Sequence, residues 1–167
     1  MDISFNQENQ KFNYRVCAMI ISGNRILAMH DERSPYFYLP GGRVKMGETA
    51  EQAVIREVRE ELHVTLKITR PLWLNQAFFT EDVDGVRYHE LCIYFLMDIT
   101  DTDLQEKGNS FTLTEGKHIH TFEWLELFLS DLFKKRNLQS SGRVHHSYRT
   151  RETTSGLMQS TDASLRF

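Results

Sequence analysis

The stretch "GGRVKMGETAEQAVIREVREELHV", Gly41–Val64, decides how the rest of the chain is read. At about 100° per residue, Ala50, Ala53, Val54, Val58 and Leu62 fall within one half of a helix, the face that packs on a sheet. Thr49-Ala50-Glu51-Gln52 has the capping-box form, in which a hydroxyl and an amide side chain satisfy free backbone N–H groups. The helix is therefore placed from about Thr49 to about His63. Glu57 and Glu61 do not belong on such a face. They stand four residues apart and stack as neighbours beside Ala53, Val54 and Val58, with Glu60 on the flank of the same cluster. Like charges at this spacing cost an exposed helix roughly 0.2–0.5 kcal/mol, and partial burial makes them far more costly.

A positive charge is expected beside these acids. A divalent ion is the economical answer, because hard cations such as Mg²⁺ take oxygen ligands from one or two carboxylates and share the rest of their shell with water and substrate phosphates. Arg56 faces elsewhere on the helix and is read as holding a carboxylate from behind. The alternative is a solvated acidic face neutralised by Arg56 and Arg59. Gly41 and Gly42 support the first reading, since they permit backbone conformations and close approaches that side chains forbid. A carbonyl or amide there can meet an ion or a phosphate.

Outward from this stretch, Tyr14–Ser22, the turn Gly23-Asn24 and Arg25–His30 read as a hairpin. A loop from Asp31 leads through Phe37, Tyr38 and Leu39 to Pro40-Gly41-Gly42, where a strand or helix is not expected to continue. Beyond the helix, Val64–Thr69 and Leu72–Thr80 are two strand candidates separated by Arg70-Pro71. The turn Asp82–Gly85 returns the chain into a long strand, Val86–Ile99. Asp101–Phe111 reads as a polar loop, Ile119–Leu125 as a short strand and Leu127–Lys135 as a second, amphipathic helix.

The chain has 167 residues, 40% hydrophobic and 26% charged, which suits one folded domain. We divide it into a domain at 1–138 and a polar, basic appendage at 139–167 carrying Arg143, His145, His146, Arg149 and Arg151. The formal charge of −3 gives no global reason to bind nucleic acid or an anionic membrane, so a phosphate ligand must be held locally. Cys17 and Cys92 lie in apolar runs and read as core thiols suited to a reducing, cytoplasmic setting. Neither a signal peptide nor a run of about 20 apolar residues is evident, so no membrane partner is expected.

Gly42, five residues, Glu48, seven residues, then Arg56-Glu57-Val58-Arg59-Glu60-Glu61-Leu62-His63-Val64 resembles the Nudix box of the MutT-like hydrolases. The resemblance runs from about Tyr14 to Leu132 and includes Leu39-Pro40-Gly41-Gly42 and Phe122-Glu123-Trp124-Leu125. It implies an α/β fold, a Nudix-type α/β/α sandwich around a mixed β-sheet. It also implies hydrolysis of a nucleoside diphosphate linked to another group, X, with a small nucleotide as partner and in many members a homodimer. By this carry-over Glu57, Glu60 and Glu61 bind Mg²⁺ or Mn²⁺, a carbonyl of Gly41 or Gly42 adds a ligand, and Glu48 and Arg56 brace the cluster. Glu57 serves in part as a base, or Glu115 does so from a loop before the last strand. The family's usual glycine is His63 here, which is expected to disturb the turn locally while lying on the surface.

Gly41, Tyr38 and Arg33 are taken as substrate contacts. Asp31 and Glu32 near the same entrance, and the aromatics Tyr36, Phe37, Phe78, Phe79 and Tyr88, are further candidates. Signatures of dinucleotide pyrophosphatases and coenzyme A hydrolases are absent, which leaves nucleoside triphosphates, oxidised nucleotides and sugar nucleotides. A catalytically silent nucleotide sensor is the competing class, although a sensor has no physical need of Glu48, Glu57, Glu60 and Glu61 together.

Overall fold

The computed structural model describes residues 1–32, 36–81 and 84–127, with the backbone of two short strands at 147–148 and 163–166. Along the chain come β1 (Ser4–Gln7), β2 (Gln10–Ser22), β3 (Arg25–Asp31), β4 (Phe37–Tyr38), β5 (Gly41–Arg43) and α1 (Ala50–Leu62). There follow β6 (Lys67–Thr80), β7 (Arg87–Asp98), β8 (Ser110–Glu115), β9 (His118–Glu126), β10 (Ser147–Tyr148) and β11 (Ala163–Arg166). The sheet is mixed. β2 runs parallel to β7 from Gln10 to Ile20, whereas β6 with β7, β3 with β9 and β8 with β9 pair antiparallel. The hairpin of β2 and β3 turns at Gly23, whose φ of 59° lies in the left-handed region.

Alternation along the strands separates two cores. Val16, Ala18 and Ile20 of β2, with Leu27 and Met29 of β3, join Ala53, Val54, Val58 and Leu62 of α1 on one face. Met19, Ile26 and Ala28 meet Leu39, Cys92, Tyr94 and Leu125 on the other. A strand presents successive side chains to opposite faces, so β-branched and apolar residues in unbroken runs mark strands buried on both sides. Cys17 and Cys92 are free thiols side by side, with sulfurs 3.4 Å apart.

Several expectations are corrected. Gly41–Arg43 is a strand after all, because its backbone pairs with Arg15–Cys17 once Pro40 is past. The two strand candidates around Arg70-Pro71 are one strand, β6, with irregular register between Ile68 and Arg70 and between Pro71 and Trp73. β6 lies at the end of the sheet order, where proline's missing donor is tolerated. β1 and β8 occupy segments without a clear strand pattern, and β2 begins at Gln10 rather than Tyr14. The second helix read at Leu127–Lys135, Asp82 and Val83, and the basic cluster of the appendage lie outside the described residues. β11 runs parallel to β4 and antiparallel to β10. No helix among the described residues is long and apolar enough to cross a membrane.

Candidate active site

The site is built where α1 crosses β5. Thr49 caps the helix: Gln52 N–H donates to Thr49 Oγ1 at 3.2 Å and Thr49 N–H donates to Gln52 Oε1 at 2.9 Å. This fixes the helical register and with it the direction of each acid. Gly41 has φ +146°, and a Cβ there would lie 2.2 Å from Val16 O. At Gly42 a Cβ would stand 2.5 Å from Cδ of Glu57, so only glycine leaves room for that carboxylate. Gly41 N–H donates to Glu61 Oε2 at 2.9 Å. The glycine pair and the two helix acids are thus one structural unit.

Arg56 is more central than its helical position suggested. Its Nε and Nη2 grip Glu48 at 2.7 and 2.9 Å, its Nη1 meets Glu57 at 2.6 Å and Glu60 at 3.0 Å, and Nη2 donates to Arg43 O at 3.0 Å. A bidentate guanidinium–carboxylate pair is strong and directional. The resemblance implies that Glu48 and Arg56 brace the acidic cluster; here Arg56 joins Glu48 to Glu57 and Glu60. The Glu48 carboxyl is pulled down to about 2, first by its hydrogen bonds to Arg56.

Glu61 is left without a cationic hydrogen-bond partner of this kind. It is 5% exposed, and burial pushes its carboxyl well above the ordinary range, with Glu57 and Glu115 adding to the effect. Glu57 moves in the same direction, again through burial first, with Arg56 opposing. Acids drawn this far out of water are what a divalent cation relieves, and the Glu57 carboxylate occupies the space that Gly42 leaves open. Among the described residues no three Asp, Glu, His or Cys side chains close round a single point. A closed structural site needs such a set, whereas Mg²⁺ and Mn²⁺ take a few carboxylates and share the rest of their shell with water and phosphate. Glu57 and Glu61 lie against the glycine strand, while Glu60, its side chain 38% exposed, stands at the solvent edge on Arg56. The Gly41 carbonyl faces Arg15, with Nη2 at 3.5 Å.

Glu115 is the last residue of β8, not a loop residue, and its charge reaches both Glu57 and Glu61. The helix end is tied to the same strand, for His63 Nε2 lies 3.1 Å from Thr114 O. His63 itself adopts the left-handed conformation, φ 59° and ψ 22°, so the usual glycine geometry is kept at a steric cost of about 1–2 kcal/mol. Its side chain is exposed, as expected. Tyr38 is half-buried against the α1-side core, and Phe37 meets His30 edge-on at 4.8 Å. Arg33 lies outside the described residues. Phe78 is exposed and stacks on His89 at 4.4 Å, while Phe79 stacks on Tyr88 at 5.3 Å.

Asp31 is not an entrance residue: it ends β3 and is buried, directly opposite His120 of β9. Sequence reading missed His120. The signal was there in the alternation His120, Phe122, Trp124, which puts the histidine on the inward face. Arg15 was missed as well; its guanidinium, although partly buried, is held charged by Glu90 and the nearby acids of the site.

The fold and the box motif together define a class, and comparison with known proteins agrees. The family model of the NUDIX domain matches residues 11–145, and the chain belongs to that family. The crystal structure of a MutT NUDIX hydrolase from Burkholderia pseudomallei superimposes with a TM-score of 0.50 over 77% of this chain and 98% of that one, at 20% identity, a likeness of fold. Among characterised relatives, the ADP-ribose pyrophosphatase of Methanocaldococcus jannaschii is 34% identical over 93 residues, 54% of this chain and 53% of the relative. The 8-oxo-dGTP diphosphatase of Escherichia coli is 62% identical over 26 residues, 16% of this chain and 20% of that protein. The chain thus spans about half the length of the first of these and a fifth of the second.

Proposed function

We propose that this protein is a divalent-metal-dependent hydrolase that cleaves the diphosphate linkage of a nucleoside diphosphate joined to a further group, by attack of water at phosphorus. The observation that carries the reading is the pair of Glu61, buried, and Glu57, partly buried, against a glycine strand whose missing side chain leaves space for a carboxylate. Glu57, Glu61 and Glu60 would hold Mg²⁺ or Mn²⁺, with a carbonyl of Gly41 or Gly42 as a further donor. When bound, the ion supplies neutralisation of phosphate charge and acidification of the attacking water.

The chain's own residues do the rest. Arg56 and Glu48 lock the acids into one arrangement, which removes reorganisation from the reacting complex. Glu115 takes the proton of the attacking water, a role suited to a carboxylate whose charge is felt at both Glu57 and Glu61. Gly41, Tyr38 and Arg33 contact the substrate, and the remaining candidates for X include ribose, as in ADP-ribose, and phosphate, as in a nucleoside triphosphate.

The test is a panel of ADP-ribose, nucleoside triphosphates including 8-oxo-dGTP, and dinucleotide polyphosphates, incubated with Mg²⁺ or Mn²⁺ and read by product chromatography. We expect turnover of at least one compound that stops in EDTA. Tight binding of one nucleotide without turnover would instead assign the protein to nucleotide sensing, and calorimetry showing no metal uptake with or without nucleotide would end the proposal.

A further inference from the structure

A second polar group lies beneath the site. On β3, β8 and β9 the inward face reads Leu27, Met29, Asp31; Phe111, Leu113, Glu115; and Trp124, Phe122, His120. The apolar residues of each series build the α1-side core, so by the two-residue period Asp31, His120 and Glu115 end on that same face. Asp31 and His120 are cross-strand partners, and Glu115 sits two pairs beyond Leu113, the residue opposite His120. His120 is 2% exposed. Its Nε2 lies 3.1 Å from Glu115 Oε2, and its Nδ1 stands 3.9 Å from Asp31 Oδ2 without a hydrogen bond of its own.

Burying an imidazole between two carboxylates is costly unless the arrangement does something that an apolar side chain cannot. The Glu115 side chain is partly open, and it ends the strand to which the helix terminus is fixed through His63 and Thr114. A glutamate at such a position has free rotation about three bonds unless one oxygen is held. Here Oε2 is held by His120.

We propose that His120 is a positioning residue, oriented by Asp31 on one side and fixing the Glu115 carboxylate on the other, so that Glu115 faces the Glu57–Glu61 pair in one orientation. The inference rests on the reading of Glu115 as the base that receives the water's proton. In the contact, Nε2–H donates to the Glu115 carboxylate, and the charge of Asp31 favours the ring orientation that presents it.

The experiment measures kcat and KM in Mg²⁺ with ADP-ribose, or with the panel nucleotide turned over fastest, and checks each variant's melting. His120→Gln places an amide donor near the Nε2 position, whereas His120→Asn places one near Nδ1 and cannot reach Glu115. We expect His120→Asn to lower kcat by about tenfold or more with KM within threefold, and His120→Gln to recover most of the loss. The double variant His120→Asn with Glu115→Gln should be no slower than Glu115→Gln alone. Equal effects of Asn and Gln, or losses that multiply in the double variant, would make His120 a structural tie and overturn the inference. If His120→Asn does not fold, Asp31→Asn takes its place, with a smaller fall in kcat that again vanishes in the Glu115→Gln background; a fall that persists there overturns the inference. Full activity of Glu115→Gln would remove the base assignment itself, whereas a slow Glu115→Gln beside a fully active His120→Asn would remove only the role of His120.

Discussion

Replacing Glu61 by Gln tests the central physical idea, because it predicts opposite effects on stability and on catalysis. Side chains four residues apart on a helix are separated by roughly 5–6 Å. Two ionised carboxylates at that distance repel by about 3 kcal/mol at an effective dielectric constant near 20. Arg56, 2.6 Å from Glu57, reduces the repulsion felt in the folded protein. Gln keeps the shape and still accepts the Gly41 N–H, so metal-free Glu61→Gln is expected to be more stable than the parent by about 1–2 kcal/mol, or roughly 2–8 °C in melting temperature. The pH dependence has a definite sign. The Glu61 carboxyl holds its proton more tightly folded than unfolded, so the parent loses stability as pH rises through the folded value and the amide does not. The gap should be wide at pH 8 and close in acid. Added Mg²⁺ reverses the order: it stabilises the parent by about 2.7 kcal/mol at a hundred times its dissociation constant, and the variant by less. Turnover of the variant should fall at least about a hundredfold, a loss near 2.7 kcal/mol of transition-state stabilisation. The assays are thermal melting in EDTA and in Mg²⁺ at two pH values, with steady-state kinetics. A variant less stable than the parent in EDTA, or equally stabilised by Mg²⁺, would refute the argument.

Other substitutions probe the surrounding parts. Gly42→Ala places a Cβ where Glu57 Cδ now lies 2.5 Å away, so it should displace that carboxylate and lower kcat by at least about tenfold, with weaker Mg²⁺ uptake in calorimetry. Arg56→Ala leaves Glu48, Glu57 and Glu60 without their shared cation and should cost about 2–4 kcal/mol, read by urea unfolding at pH 7. Because Glu48 titrates near 2 when folded against an ordinary 4.5, its contribution is present above about pH 4.5 and is lost as pH falls toward 2, so the difference between Arg56→Ala and the parent should shrink over that window. His63→Gly relieves the left-handed strain and forfeits the contact to Thr114 O; the net gain should be within about 1 kcal/mol, seen as a melting temperature raised by up to about 4 °C with activity unchanged.

Much of the site was legible in the chain itself because its signals are local. The capping box at Thr49, the apolar stripe and the place of Glu57 and Glu61 all follow from one helical repeat, and the structure has each in the expected register. The hairpin of β2 and β3 is equally local, set by a turn between two apolar runs. Glu115 is different. Its identity as a candidate came from resemblance, and its position at the end of a strand depends on pairing between β8 and β9 that no short window encodes.

By itself the sequence determined the acidic helix, its caps, the glycine pair that precedes it and the family to which the chain belongs. Tertiary structure decided that Gly41–Arg43 is a strand, that β6 passes unbroken through Pro71, and that Arg56 gathers three acids at once. It also decided that Asp31, Glu115 and His120, far apart in the chain, meet beneath the site. The reason is physical: caps and helical faces arise from contacts within a few residues, whereas strand pairing and the direction of a long side chain are settled only when distant segments compete for the same buried hydrogen bonds and charges.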